Sequence, residues 1–228
     1  MYEFKSRRSH HLSKFSLFFS FLNFLKALFL GILKLFLKNS NRRKMDMTKV
    51  ALLLAPGFEE IEALTVVDVL RRAAITCEML GFEQTVTGSH GITVQADALW
   101  DGSLEGYDMV VLPGGMPGSA HLRDDQRLMD ALVKMNKENK WITAICAAPI
   151  ALENAGVLKG KNFTCYDGAK QGIFSGNYQK ETVVIDGNII TSRSAATALH
   201  FAYALVEQLG GDAKTISDAM LYADVFGK

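Results

Sequence analysis

The chain has 228 residues, of which 49% are hydrophobic and 21% are charged, and its formal net charge is +1. This near-neutral average conceals two unlike parts, because residues 1–46 carry a net charge of +8 and residues 47–228 a net charge of −7. The larger part is acidic with scattered charges, so we expect no nucleic-acid partner. The three cysteines, Cys77, Cys146 and Cys165, lack metal-ligand spacing, which argues against a zinc site or a disulfide framework and favours a reducing, cytoplasmic location.

Residues 1–46 form a basic and apolar leader. Between residues 15 and 37 the chain is mostly Phe, Leu, Ile and Ala, but two lysines interrupt it, and a clean membrane span needs about 20 apolar residues with few charges. An amphipathic membrane-surface helix and a transit peptide both fit this composition. So does a start assigned too far upstream, with translation beginning at Met45 or Met47. We therefore expect a membrane partner only if the leader is part of the protein.

Residues 47–228 are long enough to form one α/β domain with a large core. Apolar runs predict buried strands at 49–55, 75–81, 108–112 and 141–146. Shorter strands are predicted at 92–95 and 162–166, and a hairpin with an Asp-Gly turn joins 182–185 to 189–191. Helical spacing predicts helices at 63–73, 124–138, 148–155, 195–209 and 215–226. Strands that alternate with helices indicate a doubly wound, mainly parallel sheet.

The segment 141–149 indicates a reactive cysteine. An apolar, β-branched strand ends at Cys146, and helix-forming residues follow at once. Sharp strand-to-helix turns hold nucleophiles in strained, exposed positions. The partial positive charge of a helix N-terminus also favours a thiolate. The alternative is a buried cysteine that packs as a small hydrophobic side chain, which is the role we expect for Cys77 and Cys165.

Acidic residues crowd the start of the helix that follows the first strand, where the helix dipole favours them. We expect Glu59 and Glu60 to act as solvated caps. Glu62 is the candidate for the one carboxyl group that faces inward at the carboxyl edge of the sheet. The apolar stripe expected to face the core consists of Ile61, Leu64, Val67 and Leu70.

A glycine-rich loop, residues 113–118, follows the strand at 108–112. Ligand sites of α/β sheets form at this edge. Gly114 and Gly115 permit close backbone approach, and their N–H groups are suited to hold an anion or an oxyanion. No Lys-Ser or Lys-Thr pair follows, so we do not expect a nucleotide site.

Four segments together resemble the ThiJ/PfpI superfamily, in its Parkinsonism-associated deglycase ("DJ-one") branch. They are Gly57-Phe-Glu-Glu-Ile-Glu62, Leu-Pro-Gly-Gly115, Ala-Ile-Cys-Ala-Ala-Pro149 and Thr191-Ser-Arg193. The resemblance covers roughly residues 48–226 and leaves the leader unmatched. It implies a flavodoxin-like sandwich, similar to class I glutamine amidotransferases, that forms a homodimer and carries its cysteine on a nucleophile elbow.

The resemblance also implies a role for individual residues. Cys146 corresponds to the reactive thiol and Glu62 to the carboxyl group beside it. The oxyanion site would be formed by the backbone N–H groups of Gly115 and Ala147. An ionised Glu62 would repel a thiolate, so we expect a protonated carboxyl group that titrates together with the thiol. The further residues expected to line the site are Gly114, Tyr166 and His90.

The activity implied is that of a cofactor-free, metal-free enzyme of the glyoxalase III or deglycase type, acting on small aldehydes or glycated substrates through Cys146. Ala147 stands where the peptidase-like branch has a histidine, so a cysteine peptidase or amidotransferase is not expected. Tyr166 stands where deglycase-type relatives often have a histidine. That difference favours the alternative, a non-catalytic redox-responsive stress or chaperone-like protein whose cysteine is oxidised to sulfinate. His90 matches a position that approaches the partner subunit's site in relatives, or is simply a solvated histidine in a turn.

Overall fold

The computed structural model describes residues 26, 28–31 and 48–227. Residues 26 and 28–31 are helical. The rest of the predicted leader lies outside the described residues, so its assignment to a membrane, to targeting or to an upstream start stays a prediction. No helix within the described ranges combines the length and the apolar character that a membrane crossing requires.

Between residues 48 and 227 the strands and helices of the central sheet and its flanking layers alternate only in part, with runs of short strands between them. The strands are β1 (Lys49–Leu54), β2 (Thr76–Gly81), β3 (Thr85–Thr87), β4 (Thr93–Gln95), β5 (Ala98–Leu99), β6 (Met109–Leu112), β7 (Trp141–Ile145), β8 (Asn162–Phe163), β9 (Asn177–Tyr178), β10 (Val183–Asp186) and β11 (Ile189–Ser192). The helices are α1 (Glu60–Arg72), α2 (Gly118–Asp124), α3 (Gln126–Lys137), α4 (Pro149–Asn154), α5 (Ala198–Gln208), α6 (Ala213–Ala219) and α7 (Tyr222–Phe226). Short 3-10 turns occupy Lys170–Gly172 and Ala195–Thr197.

Seven of these strands form the central sheet, in the order β10-β11-β7-β6-β1-β2-β5. β10 runs antiparallel to β11, and the other neighbours are parallel. The pairs β3–β4 and β8–β9 lie outside this sheet. The predicted doubly wound, mainly parallel sheet is therefore confirmed. Because β1, β6 and β7 are adjacent and parallel, the segments that follow them meet at one edge.

The sheet separates two apolar layers. Val50 and Leu52 of β1 pack in a cluster with α1 and α5, whereas Ala51 and Leu53 pack in a second cluster with α2, α3 and α4. Side chains alternate between the two faces of a strand, so a strand buried on both faces reads as a continuous apolar run. This explains why the sequence predicts β1 well.

The predicted apolar stripe of helix α1 is confirmed at Val67 and Leu70, which are buried, but not in the first turns of the helix. Ile61 is 56% exposed and Leu64 only half-buried, whereas Glu62, Ala63 and Val66 face the interior. The helix also begins earlier than predicted, at Glu60. The small and β-branched residues of α1 pack on the core, and this places a carboxyl group rather than an isoleucine at the inward position of the first turn.

The structure corrects three other predictions of secondary structure. The C-terminal helix predicted at 215–226 is two helices, α6 and α7, separated where Leu221 adopts a left-handed φ of 58°. The strand predicted at 162–166 is shorter, since β8 covers only Asn162–Phe163. Helix α2, within a segment rich in glycine and proline, was not predicted, and the following helix begins after the N-cap residue Asp125.

Candidate active site

Cys146 lies on a strained turn between β7 and α4. Its φ of 62° is left-handed, a conformation that residues other than glycine seldom adopt. Two backbone hydrogen bonds hold it there: its N–H donates to the Ser192 carbonyl at 3.0 Å, and its carbonyl accepts from the Tyr166 N–H at 2.8 Å. The side chain is partly exposed. The predicted strand-to-helix turn is therefore present, and it presents the thiol at the carboxyl edge of the sheet.

Glu62 is the buried carboxyl group beside this thiol. The Glu59 carboxylate caps α1 by accepting from the Glu62 N–H at 2.7 Å, which fixes the first turn of the helix. The Glu62 Oε2 atom accepts from the Gly114 N–H at 2.8 Å. Oε1 has no hydrogen-bond partner among the described residues, and the Cys146 thiol acts on the Glu62 carboxyl group from close by.

The environment of Glu62 favours its protonated form. Burial raises its pKa, and the charge of Glu59 raises it further, whereas the interactions with Cys146 and with the Gly114 N–H oppose the shift. The resulting pKa is about 7. The Glu62 carboxyl group is therefore protonated below about pH 7, in line with the predicted protonated carboxyl group.

The glycine loop packs tightly against both functional groups. A Cβ atom on Gly114 would lie 2.5 Å from Glu62 Oε2 and 2.6 Å from Cys146 Cβ. Gly115 has a φ of 89°, and a Cβ atom there would lie 2.5 Å from the Gly57 carbonyl oxygen. Neither position accommodates a side chain. The sequence therefore needs glycine at both positions for the backbone to approach the thiol.

Groups around Cys146 shift the pKa of its thiol in opposite directions. Burial raises its pKa most, and the charge and hydrogen bond of Glu62 raise it further. The backbone N–H groups of Ala147 and Gly115 act in the other direction, as donors to the sulfur. The prediction that a helix N-terminus lowers this pKa is wrong for the resting site, where burial prevails. Because both pKa values of the pair are raised, Cys146 and Glu62 together keep a proton near neutral pH.

His90 lies in the turn between β3 and β4 and contacts Glu60, not the thiol. Its N–H donates to Glu60 Oε1 at 2.7 Å, and its Nδ1 lies 2.9 Å from Glu60 Oε2. Glu60 is buried, which corrects the prediction of a solvated cap. No local sequence pattern predicts this contact, because the two residues are far apart in the chain.

Tyr166 follows β8 and contacts Cys146 through its backbone, while its side chain is exposed. The next residue, Asp167, accepts a hydrogen bond from Arg193 Nη2 at 3.0 Å. Arg193 in turn follows Ser192, the residue that accepts from the Cys146 N–H. The two segments that hold the Cys146 backbone are thus joined by an ion pair. The sequence pattern pointed to Arg193 only as part of a motif.

Glu59, Glu60 and His90 also offer ligand atoms within 4.8 Å of one another. The two carboxylates already accept hydrogen bonds from backbone N–H groups, one as the helix cap and one as the anchor of the turn. These contacts account for the cluster, and we assign no metal to it.

A doubly wound sheet with a cysteine on a strained strand-to-helix turn, facing a buried glutamate, defines a class of cysteine-bearing α/β domains. The sequence matches the DJ-1/PfpI family over residues 48–208. The chain belongs to this family. The resemblance found in the sequence motifs is thereby confirmed.

Several relatives align over most of the domain. Protein dj-1beta of Drosophila melanogaster is 39% identical over 175 residues, which cover 74% of this chain and 93% of that protein. A protein of Pyrococcus horikoshii named as a deglycase is 34% identical over 152 residues, 65% of this chain and 91% of its own length. Protein DJ-1 homolog B of Arabidopsis thaliana is 37% identical over 165 residues; the alignment covers 71% of this chain but only 38% of that longer relative.

Solved structures of the family superimpose closely. The structure of oxidized DJ-1 from Toxoplasma gondii has a TM-score of 0.74 and 34% identity, over 77% of this chain and 99% of that one. The crystal structure of DJ-1beta from Drosophila melanogaster has a TM-score of 0.73 and 35% identity, over 76% and 97%.

Proposed function

We propose that this protein is a cofactor-free, cysteine-dependent enzyme that acts on reactive carbonyl compounds, of the glyoxalase III or deglycase type. The observation that carries the proposal is the Cys146–Glu62 pair, in which a strained, partly exposed thiol faces a buried carboxyl group with a pKa of about 7. A general acid and base is most effective when its pKa lies near the working pH. The deglycase name of the Pyrococcus horikoshii relative supports the substrate class, small aldehydes and glycated molecules.

The chemistry needs only groups of this chain and water. The Cys146 sulfur adds to the aldehyde carbon of a dicarbonyl R–CO–CHO, and the oxygen that becomes negative is held by the N–H groups of Gly115 and Ala147. Glu62 then removes the proton from the former aldehyde carbon and returns it to the neighbouring carbon, which leaves a thioester. Water cleaves the thioester to the 2-hydroxy acid R–CHOH–COO⁻ and frees the thiol. The aldehyde carbon is oxidised and its neighbour reduced, so no external oxidant is required.

Methylglyoxal is the substrate with which to test this proposal. We expect wild-type protein to produce lactate, Cys146→Ser to produce none above background, and Cys165→Ala, which removes a buried cysteine nearby in the chain, to remain active. Lactate formation and thermal unfolding of each variant are the measurements. Full turnover by Cys146→Ser would exclude Cys146 as the nucleophile.

A second candidate function is a redox-responsive protein whose Cys146 is oxidised to sulfinate. Tyr166 stands where deglycase-type relatives often have a histidine, and this favours the second candidate, because repeated turnover would have to proceed without an imidazole base whereas oxidation modifies the thiol only once. The same N–H groups would hold the sulfinate oxygens, and the DJ-1 relative of Toxoplasma gondii has been solved in an oxidized form. Mild peroxide followed by intact mass measurement tests this candidate. A gain of two oxygens that Cys146→Ser lacks, without any lactate formation by the wild type, would favour the sensor.

The homodimer implied by the family resemblance is also a proposal. Ile61 on α1, the helix that carries Glu62, is an exposed apolar side chain at which a contact with a second copy can be tested. Sedimentation velocity of wild type and of Ile61→Lys tests it; the expected results are a dimer for the wild type and a weakened dimer for the variant.

A cytoplasmic location is proposed because the three cysteines are unpaired, which suits a reducing compartment.

A further inference from the structure

We propose that Glu59 is a positioning residue for Glu62, because its carboxylate closes a ring of three hydrogen bonds that holds the Glu62 carboxyl group beside Cys146. The inference rests on the proposed function for the reaction that Glu62 serves. It deepens that function by assigning a part in the reaction to a residue that would otherwise be only the cap of α1.

The ring joins Glu59, Gly114 and Glu62, and each of these residues both donates and accepts a hydrogen bond. The Glu59 N–H donates to the Gly114 carbonyl oxygen at 2.8 Å. The Gly114 N–H donates to Glu62 Oε2 at 2.8 Å. The Glu62 N–H donates to Glu59 Oε2 at 2.7 Å, which closes the ring. Loss of the Glu59 carboxylate therefore opens the ring at the residue from which the Glu62 side chain extends.

The ring packs directly against the reacting groups. A Cβ atom on Gly114 would lie 2.5 Å from Glu62 Oε2 and 2.6 Å from Cys146 Cβ, so both side chains border the same point of the glycine loop. A Cβ atom on Gly115, whose N–H is an expected oxyanion donor, would lie 2.4 Å from the Glu59 nitrogen. Because the packing is this close, a shift of Glu59 reaches both the carboxyl group and the oxyanion donor.

Glu59 also acts on Glu62 through its charge. Burial raises the pKa of Glu62 most, and the charge of Glu59 raises it further, whereas the interaction with Cys146 opposes the shift. The Glu59 side chain is only 12% exposed, so solvent screens its charge weakly. The nearby cation is His90, whose Nδ1 lies 4.0 Å from Glu59 Oε1 but 2.9 Å from Glu60 Oε2. His90 therefore pairs with Glu60 in preference to Glu59.

The direct test is the titration of Glu62 in the resting protein. Carbon NMR of labelled glutamate carboxyl groups gives the midpoint, and the Glu62 signal is the one that Glu62→Gln lacks. We expect a midpoint near pH 7 in the wild type and a lower one in Glu59→Ala, which removes both the acceptor and the charge. Glu59→Asp, which keeps a charged cap, should restore part of the shift. The same midpoint in wild type and Glu59→Ala would overturn the proposal.

Turnover of methylglyoxal tests the effect on the reaction. Glu59→Ala should lower kcat about tenfold or more, since a small misplacement of a reacting group can cost about 10²-fold. KM should change little, because the ring holds Glu62 and not the substrate. Glu59→Gln keeps an acceptor for the Glu62 N–H and should lose less. Its kcat should rise at a lower pH than in the wild type, because Glu62 must be ionised to remove a proton. An unchanged kcat in Glu59→Ala would contradict the positioning role.

Asp212→Ala is the matched control for the loss of a helix cap. Asp212 caps α6 by accepting from the Thr215 N–H at 3.0 Å. Both cap variants should lower the melting temperature, but only Glu59→Ala should change the Glu62 midpoint and kcat. Equal losses of kcat in the two variants would indicate a general loosening of the fold and overturn the proposal. If the wild type forms no lactate, the proposed function fails, and the NMR midpoint still decides the role of Glu59.

Discussion

Glu60 and Glu62 stand two residues apart in the first turn of α1 and are almost equally buried, at 4% and 1% exposure. The pKa values of the two carboxyl groups nevertheless shift in opposite directions. For Glu60, the raising effect of burial is outweighed by hydrogen bonds from the His90 side chain and backbone, so its pKa is lowered. For Glu62, burial prevails over a single N–H and the nearby thiol, and its pKa rises to about 7.

The contrast shows that low solvent exposure alone does not decide the charge of a carboxyl group: Glu62 lies deeper in the protein than Glu60, and the number and kind of hydrogen-bond donors differ as well. Glu60 meets an imidazole and N–H groups of the turn between β3 and β4, so it stays ionised and anchors that turn. Glu62 meets one N–H and the thiol, so it changes charge near neutral pH. The helix thus supplies one carboxylate that anchors a turn and one carboxyl group that, in the proposed function, transfers protons.

The largest expected effect is the difference in catalytic activity between variants of Glu62 and of Glu60. Glu62→Gln should lower kcat for methylglyoxal by about 100-fold or more, because general acid–base catalysis contributes about 10²–10⁴-fold. Glu60→Gln should have a much smaller effect, since it removes an anchor of the neighbouring turn. Lactate formation at saturating substrate, with circular dichroism to verify folding, is the measurement. Equal losses in the two variants would remove Glu62 from its proposed catalytic role.

The pH dependence of stability should also differ in sign between them. The folded-state pKa of Glu62 is about 7, raised from 4.5, so its contribution to stability is full below pH 4.5 and is lost as the pH rises through 7. The shift corresponds to at most about 3 kcal/mol. The lowered pKa of Glu60 has the opposite consequence, with a contribution present above pH 4.5 and lost as the pH falls through the lowered pKa. Its partner His90 has a raised pKa, so the pair weakens again as the pH rises through that value.

Urea unfolding between about pH 4 and pH 8 measures both contributions. Relative to wild type, Glu62→Gln should gain free energy of unfolding as the pH rises. Glu60→Gln should differ from wild type most between pH 4.5 and 6.5, where Glu60 is charged and His90 is protonated. A Glu62→Gln profile parallel to that of the wild type would mean that the Glu62 carboxyl group titrates normally.

The sequence was most informative where local pattern and tertiary environment agree. β1, β6 and β7 are apolar runs because they are central strands buried on both faces. Cys146 was identifiable because a strand and a helix meet there without a loop. Gly114 and Gly115 were identifiable because two glycines directly after a central strand indicate close backbone approach.

The remaining features depend on contacts between distant segments. No local pattern links Glu60 with His90 or Arg193 with Asp167, since each pair is brought together only by the folded sheet. The first turn of α1 was mispredicted only for Ile61, which fits the apolar spacing but is exposed, while the predicted inward carboxyl group of Glu62 is buried. The raised pKa of Cys146 was missed for the same reason: the helix that follows is local, whereas the burial that outweighs it is tertiary.

The smallest expected effects come from substituting two glycines, one packed against each of the two glutamates. A Cβ atom on Gly114 would lie 2.5 Å from Glu62 Oε2, and one on Gly88 would lie 2.5 Å from Glu60 Cδ. Each substitution by alanine should cost about 1–3 kcal/mol of stability, as overpacking of a filled site does. Only Gly114→Ala should also impair lactate formation, because it displaces the carboxyl group from the thiol.

Gly172→Ala is the matched control, since the nearest atom to its Cβ is Ile150 Cγ2 at an ordinary 3.8 Å. Its stability and activity should equal those of the wild type. Urea unfolding and the methylglyoxal assay on the three variants show whether crowding beside Glu60 and crowding beside Glu62 have different effects on activity. If Gly88→Ala lost as much activity as Gly114→Ala, the turn anchored by Glu60 would be part of the reacting site. The assignment of a structural role to Glu60 and a catalytic role to Glu62 would then be wrong.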